Sequence, residues 1–198
     1  SLPLHYSYGL SVLNSHLYVG GKIVLSDFPV TSKAFWDLFN EHSVTGMVGV
    51  PSTWRILRKI YFDRMSLPKL RIMTQAGGKL DKEEISWLEK LSKNNDRQLF
   101  IMYGQTEATA RISYVEPTQL RTKIGSIGKA IPDGKLELRD ENDKRITSNN
   151  VEGELIYRGP NVMMGYANSI NDILNNSQLK ELKTGDLAIF DQDGFYWI

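Results

Sequence analysis

The chain has 198 residues, 41% of them hydrophobic and 24% charged, which is ordinary for a globular protein that can bury a core. Its 24 basic and 23 acidic residues give a net charge of +1, so composition does not favour nucleic acid or an anionic membrane as a partner. The chain has no cysteine, which excludes disulfides, thiolate metal sites and a cysteine nucleophile. No apolar stretch approaches the ~20 residues that span a bilayer, and no secretory leader is visible, so we expect a cytoplasmic protein without a transmembrane segment.

Four apolar runs in the first part of the chain predict strands of a layered, mostly parallel α/β sheet, because they alternate with amphipathic segments. They are residues 22–25, 44–50, 70–73 and 99–103. The third run is followed by Gly77-Gly78, and the fourth leads into residues 103–107. In open parallel sheets, ligands bind outside the carboxyl ends of the strands, so we expect these two loops to face one ligand.

Three amphipathic segments between these runs predict helices that flank the sheet. The first spans 32–42, with Thr31 or Ser32 as its cap. The second begins at Ser52, and the third begins at Asp81 with a capping-box pattern. A helical period places these side chains on the inner faces: Phe35, Leu38 and Phe39; Trp54, Leu57, Ile60 and Tyr61; and Ile85, Leu88 and Leu91.

After about residue 123 the pattern changes to short alternating runs separated by turn dipeptides. Asp193-Gly194, between the runs 187–190 and 195–198, is a strong hairpin signal. We therefore predict two parts: an α/β subdomain over 1–122 and a small antiparallel, barrel-like β subdomain over 123–198.

Residues 103–107, Tyr-Gly-Gln-Thr-Glu, have the residue types of an ATP·Mg²⁺ site at the end of a strand. Gly104 permits close approach of the backbone to a ligand. Thr106 can donate a hydrogen bond to a phosphate oxygen, and Glu107 offers a hard oxygen ligand that suits Mg²⁺. The structural alternative is that Thr106 caps a short helix whose dipole favours Glu107 in the first turn.

Five segments, in the same order and at compatible spacing, resemble the adenylate-forming superfamily. That superfamily includes acyl- and aryl-CoA synthetases, firefly luciferases and the adenylation domains of nonribosomal peptide synthetases. The matching segments are residues 2–10, 75–78, 103–107, 153–168 and 184–186. Together they are spread over most of the chain, from residue 2 to residue 186.

The resemblance implies roles for the central motif. It gives Thr106 a contact with the α-phosphate and Glu107 the Mg²⁺, and both offset charge as the carboxylate substrate attacks phosphorus. Tyr103 resembles the aromatic residue on which adenine stacks, a role suited to a flat amphipathic ring. Gly104 and Gln105 complete the nucleotide-binding motif.

Outside that motif the resemblance implies further site residues. Gly77 and Gly78 match the loop that runs along the nucleotide, and Asp186 matches the carboxylate that accepts both ribose hydroxyls. His5 matches the segment lining the acyl pocket, although a surface or satisfied core histidine is the structural alternative. Ile101 stands where many relatives carry a polar residue that reads the adenine amino group, a hydrogen bond that an aliphatic side chain cannot make. The segment 153–168 is assigned no chemistry.

The function implied by the resemblance is that of an ATP-dependent carboxylate ligase. ATP and a small carboxylic acid form an acyl-adenylate and pyrophosphate, with Mg²⁺, and a thiol of coenzyme A or of a carrier-protein phosphopantetheine then takes the acyl group. The partners implied are therefore the small acid and an acyl carrier protein. No Asp lies in residues 5–8, which favours an acyl or aryl acid over an amino acid. The alternative is a non-catalytic nucleotide-binding or interaction domain that keeps only the fold.

The family pattern has two parts outside this sequence. Relatives carry a Gly/Ser/Thr-rich phosphate loop ending in Lys before the His5 segment. They also carry a Gly-Arg-x-x-Asp hinge and a mobile domain with a catalytic lysine after the last segment. We expect the sequence to be a central fragment of the large N-terminal domain, inactive by itself because donors that clamp the phosphates lie elsewhere.

Overall fold

A computed structural model describes residues 2–174 and 179–198. Its first sheet has five strands: β1 (Gly46–Gly49), β2 (Ile72–Gln75), β3 (Gln98–Tyr103), β4 (Ser113–Val115) and β5 (Lys129–Ala130). They lie in this order across the sheet. The first three are parallel, and β4 and β5 are antiparallel to their neighbours. The carboxyl ends of β2 and β3 therefore meet at one edge.

Helices α1 (Ser7–Tyr18), α2 (Lys33–Glu41), α3 (Pro51–Lys59) and α4 (Lys82–Asn94) lie in the part of the chain that forms this sheet, with short 3-10 turns at Phe62–Arg64 and Thr106–Ala108. A further short helix, α5 (Ile170–Leu174), lies later in the chain. The cap of α2 is as predicted, because the Ser32 side chain accepts a hydrogen bond from the Phe35 amide. None of these described helices is both long and apolar enough to cross a membrane.

The second sheet is antiparallel and curls into a half-barrel. Its strands are β6 (Lys135–Arg139), β7 (Arg145–Ile146), β8 (Gly153–Arg158), β9 (Leu182–Phe190) and β10 (Tyr196–Trp197). Their order across the sheet is β10-β9-β8-β6-β7. The hairpin predicted at Asp193-Gly194 joins β9 to β10, with Tyr196 opposite Phe190. The predicted fold class, a layered α/β part with a barrel-like antiparallel part, is confirmed.

The boundary at residue 123 stays a prediction. Strand β5 belongs to the second part by sequence, yet it pairs with β4 in the first sheet. A bridge between Gly128 and Tyr196 also links the region around β5 to β10.

Two sequence expectations are wrong. Residues 22–25 form no strand, because none of the strands of the described chain pairs with them. An apolar run becomes a strand only where a neighbour completes its ladder, since β propensity depends on context. Tyr61 does not face inward: α3 ends at Lys59, and Tyr61 adopts a left-handed φ of 59° with 59% of its surface exposed.

The helix predicted from Asp81 forms as α4, but its capping box does not. Asp81 occupies the N-cap position without a side-chain cap bond. Instead, Asp81 and Glu84 bind the Arg55 guanidinium of α3, at 2.9 Å and 3.2 Å. An arginine from the neighbouring helix has replaced the backbone amides as the partner of both carboxylates.

The core of the first part lies between the helices and the parallel strands. Its fully buried members are Trp54, Leu57, Phe62, Leu70, Met73, Leu88 and Leu99. A second core inside the curled sheet contains Ile112, Leu138, Leu155 and Tyr157. The loop that follows β3 packs into this second core through Ala108 and into a third cluster, with Tyr8 and Ala76, through Ala110, so it is fixed by packing on two sides.

We expect Leu88→Ala to lower the free energy of unfolding by about 2–5 kcal/mol, because a fully buried leucine leaves a cavity between α4 and the sheet. Urea denaturation followed by tryptophan fluorescence measures the change. Lys90→Ala, on the exposed side of the same helix, is the matched control and should change stability by no more than about 0.5 kcal/mol. Equal losses in the two variants would contradict the assigned core face.

Candidate active site

A cavity of about 550 Å³ opens at the carboxyl ends of β2 and β3. Its walls include residues 6–8 at the start of α1, 75–80 from the end of β2 onwards, 103–107 from the end of β3 onwards, and Asp186 of β9. The two loops that were expected to face one ligand therefore do share a cavity. Its volume lies within the range of small-molecule sites, about 300–1,000 Å³.

The predicted site residues fall into two groups. Gly77, Gly78, the five residues 103–107 and Asp186 all line the cavity. His5 does not line it and is exposed to solvent just before α1. Its neighbour Tyr8 is buried, and its hydroxyl lies 2.6 Å from the Thr74 hydroxyl of β2. Burial raises the pKa of Tyr8 to about 12, so this contact fastens α1 to the sheet as a neutral hydrogen bond.

A hydrogen bond from a buried glutamine fixes the loop after β2. The Gln75 side chain is 1% exposed, and its amide donates to the Gly78 carbonyl at 2.8 Å. Gly77 has a φ of +77°, and a Cβ there would lie 2.5 Å from the Tyr6 hydroxyl oxygen. Glycine is therefore required by backbone conformation and by space. Sequence reasoning gave Gln75 no role, although a polar residue ending an apolar run signals a buried partner.

Gly104 is required for a reason that the sequence did not suggest. A Cβ on Gly104 would lie 2.3 Å from the Ala110 carbonyl oxygen and 2.7 Å from the Arg111 nitrogen. The close approach is therefore to the chain's own backbone, where it turns from β3 towards β4. Thr109 and Ala110 complete that turn with left-handed φ values of 52° and 66°.

Thr106 does not act as the helix cap considered above. It is the first residue of the 3-10 turn, Gln105 occupies the N-cap position, and no side chain caps the turn. The Thr106 hydroxyl donates to the Ser7 hydroxyl at 3.1 Å. Because Thr106 is exposed at the cavity wall, its hydroxyl can reach a ligand there.

The Glu107 carboxylate is held by a tyrosine from the segment 153–168. The Tyr166 hydroxyl donates to Glu107 Oε1 at 2.6 Å, and the Met163 amide donates to the Glu107 carbonyl at 2.8 Å. The hydrogen bond from Tyr166, followed by that from its own backbone amide, holds the pKa of Glu107 below its ordinary value. The carboxylate is therefore ionised and oriented at neutral pH.

Asn161, also in the segment 153–168, fixes the turn that follows Glu107. Its side-chain amide donates to the carbonyls of Ala108 and Arg111, at 2.7 Å and 2.8 Å. Its own oxygen accepts the hydroxyl of the buried Tyr157 at 2.6 Å. The segment to which sequence reasoning assigned no chemistry thus positions the motif, and contacts about 50 residues apart leave no local pattern that could have revealed this.

Asp186 faces the motif from the second sheet. Its Oδ2 accepts the Tyr103 hydroxyl at 2.6 Å and lies 3.3 Å from the Gln105 amide nitrogen. Burial, followed by the hydrogen bond to Asp186, raises the pKa of Tyr103, which therefore stays a neutral donor. Two residues of β3 and its loop thus meet a carboxylate from β9 at one wall of the cavity.

The donor set fits a nucleotide-bound Mg²⁺ better than a metal held by protein alone. The described ranges 2–174 and 179–198 contain no group of three or more His, Cys, Asp or Glu arranged to hold a metal ion. Mg²⁺ in nucleotide sites commonly takes one or two carboxylates and completes its shell with phosphates and water. The oriented Glu107 carboxylate beside the Thr106 hydroxyl meets that requirement.

Comparison with known proteins identifies the family. The family model described as AMP-binding enzyme matches residues 1–167, so the chain belongs to this family. This confirms the resemblance read from the five motifs.

The curated relatives include CoA ligases. A long-chain-fatty-acid–CoA ligase of Escherichia coli O157:H7 is 28% identical over 201 residues, covering 98% of this chain and 34% of the relative. A 2-succinylbenzoate–CoA ligase of Bacillus cereus is also 28% identical over 201 residues, covering 100% of this chain and 39% of the relative. The chain thus spans little more than a third of the length of these relatives.

Solved structures of o-succinylbenzoate CoA synthetase from Bacillus subtilis are similar over the whole fold. The complex with its acyl-adenylate intermediate has a TM-score of 0.83 and 26% identity, covering 99% of this chain and 39% of that one. The complex with ATP and magnesium has a TM-score of 0.81 at 26% identity, with the same coverage.

Gly104→Ala tests whether the close backbone contact after β3 requires a glycine at this position. We expect it to destabilise the protein by about 1–3 kcal/mol and to weaken AMP binding, because the added Cβ must displace backbone at Ala110 and Arg111. Denaturation and calorimetric titration with AMP measure the two effects. Gly46→Ala is the control, since no atom lies within 4 Å of a Cβ there. A Gly104→Ala protein as stable as Gly46→Ala would refute the assigned contact.

Tyr166→Phe tests the hydrogen bond on Glu107. Removing the hydroxyl takes away the first cause of the lowered pKa, so the pKa of Glu107 should rise towards its ordinary 4.5. The pKa rises because removing a hydrogen-bond donor from the carboxylate favours its protonated form. Carboxyl ¹³C NMR of metal-free protein measures the titration midpoint. Tyr18→Phe, which removes a tyrosine that is 92% exposed, should leave that midpoint unchanged.

Proposed function

We propose that the protein containing this chain is an AMP-forming acid–thiol ligase of the acyl-CoA synthetase type. One observation carries the proposal: Thr106, Glu107 and Asp186 line a single cavity at the strand ends of an AMP-binding family member. CoA ligases among the curated relatives, and an acyl-adenylate complex and an ATP–magnesium complex among the similar structures, support it.

The first proposed step joins the acid to AMP. A carboxylate oxygen of the substrate forms a bond to the α-phosphorus of ATP, and the bond from that phosphorus to pyrophosphate breaks. Thr106 would donate to the α-phosphate oxygen, and Glu107 would hold a Mg²⁺, which would offset charge on the phosphates. Because Tyr166 orients Glu107 before ligands bind, little reorganisation of the carboxylate is needed.

The second proposed step transfers the acyl group. The sulfur of coenzyme A or of a carrier-protein phosphopantetheine bonds to the acyl carbon, the thiol proton passes to solvent, and AMP leaves with the bonding electrons. Adenylation makes this possible because AMP is a better leaving group than the original carboxylate oxygen. The cavity must exclude water, which would otherwise hydrolyse the anhydride.

Nucleotide binding is assigned to the remaining cavity residues. We propose that Tyr103 stacks on adenine, that Asp186 accepts the ribose hydroxyls, and that the loop containing Gly77 and Gly78 runs along the nucleotide. Ile101 is buried at the cavity wall and offers apolar contact instead of a hydrogen bond to the base. His5 is proposed for the acyl pocket, although it lies outside the present cavity lining.

Further parts of the proposal concern the whole protein. We propose that the chain is a central fragment, inactive without its flanking phosphate loop and lysine-bearing domain, with subdomains over 1–122 and 123–198. We also propose a cytoplasmic location and an acyl or aryl acid as substrate, with coenzyme A or a carrier protein as the acceptor.

Hydroxylamine trapping of acyl-adenylates by the full-length protein, against a panel of acids with ATP and Mg²⁺, tests this function. We expect hydroxamate from at least one acid, and Glu107→Gln should lower the rate by about 10²–10³-fold, as for other groups aimed at developing charge. Glu141→Gln, in the exposed turn after β6, is the control and should keep the rate. No hydroxamate with any acid would favour the non-catalytic nucleotide-binding alternative.

A further inference from the structure

We propose that Gln105 is a positioning residue that fastens the Asp186 turn of the second sheet to the motif after β3, and thereby sets recognition of the ribose hydroxyls. The inference rests on the proposed function, because it assigns a nucleotide to the cavity. It departs from the sequence interpretation, in which Gln105 was only one of several residues contacting the nucleotide.

The side-chain amide of Gln105 spans the gap between the two sheets. Its nitrogen donates to the Thr184 carbonyl at 2.8 Å. It also lies 3.3 Å from Asp186 Oδ2 and 3.4 Å from the Tyr103 hydroxyl. An amide has two N–H donors, so one serves the Thr184 carbonyl and the other the pair formed by Asp186 and Tyr103.

The Thr184 carbonyl is available because strand β9 is irregular at this point. Its register against β8 shifts between Glu154, which lies opposite Leu187, and Ile156, which lies opposite Lys183. Three residues, 184–186, therefore oppose Leu155 alone, as in a β-bulge. Gly185 in the middle has a left-handed φ of +75°. Such a bulge turns Asp186 towards the cavity but removes its ladder hydrogen bonds.

Side chains replace the missing ladder. The Thr184 hydroxyl donates to the Leu155 carbonyl at 2.7 Å and accepts the Asp186 amide at 3.2 Å. The Gly185 amide donates to the Glu154 carboxylate at 3.3 Å. These contacts fasten the bulge within its own sheet. Two side chains of the motif link the bulge to the other sheet: Tyr103 binds the Asp186 side chain, whereas Gln105 also binds the backbone of the bulge at the Thr184 carbonyl.

This arrangement leaves one oxygen of Asp186 for a ligand. In the described part of the chain both donors, Tyr103 and Gln105, go to Oδ2. Oδ1 can then accept a hydroxyl of a vicinal diol such as that of ribose. Fixing one carboxylate oxygen defines the direction of the other. Losing Gln105 would therefore weaken binding of the ribose hydroxyls while the Asp186 carboxylate remains in place.

Gln105→Met in the full-length protein is the test, because it keeps the side-chain length and removes both donors. We expect binding of ATP to weaken about tenfold, from the loss of hydrogen bonds that hold a charged group. Binding of 2′,3′-dideoxy-ATP, which has no ribose hydroxyl to lose, should change less than about twofold. Gln192→Met, in the exposed β9–β10 turn, should change neither.

Two further measurements keep the outcome decisive. On an Asp186→Ala background, Gln105→Met should have little additional effect, because a residue that acts through another is non-additive with it. Hydrogen exchange without nucleotide should be faster over residues 182–188 in Gln105→Met than in wild type or Gln192→Met. Both results would support the positioning role of Gln105.

Other outcomes would overturn the inference. Equal weakening of ATP and dideoxy-ATP, or unchanged exchange over 182–188, would show that Gln105 does not act through Asp186. A wild-type protein without preference for ATP over dideoxy-ATP would overturn both this inference and the ribose role of Asp186. If only hydroxamate formation fails and the binding pattern is as expected, the ligase proposal is wrong, but the positioning role of Gln105 is still supported.

Discussion

The reversal of the chain after β3 is the constraint on which the rest of the site depends. The chain must carry Thr106 and Glu107 to the cavity and then turn back into β4 within a few residues. Gly104 allows the backbone at Ala110 to approach, and Thr109 and Ala110 adopt left-handed conformations that cost about 1–3 kcal/mol each. Asn161, held by the buried Tyr157, offsets that strain with two hydrogen bonds.

Side chains from the second part of the chain therefore orient the site residues that follow the first sheet. Asn161 lies behind the turn, Tyr166 binds the Glu107 carboxylate, and Asp186 lies across from Tyr103. Asn161 and Tyr166 belong to the segment that follows β8, and Asp186 belongs to β9, so all three come from a part of the chain that does not contain the motif.

Much of the fold could be predicted because its determinants are local. The helical period of α2, the Ser32 cap and the Asp193-Gly194 hairpin depend on residues close in sequence, and all three form as expected. Residues 22–25 were misjudged for the opposite reason, since a strand needs a partner that composition cannot supply. Asp81 likewise found a distant guanidinium in place of its own helix amides.

For the candidate site, the sequence by itself determined the order of motifs, the family and the residue types at the cavity: glycines, a threonine and two carboxylates. Tertiary structure alone decided how these groups are held. The hydrogen bonds from Tyr166 to Glu107 and from Gln105 to the Thr184 carbonyl form only because folding brings together residues that are far apart in the chain. The physical reason is that motif chemistry resides in single side chains, whereas orientation requires hydrogen bonds whose partners only folding brings within 3 Å or so.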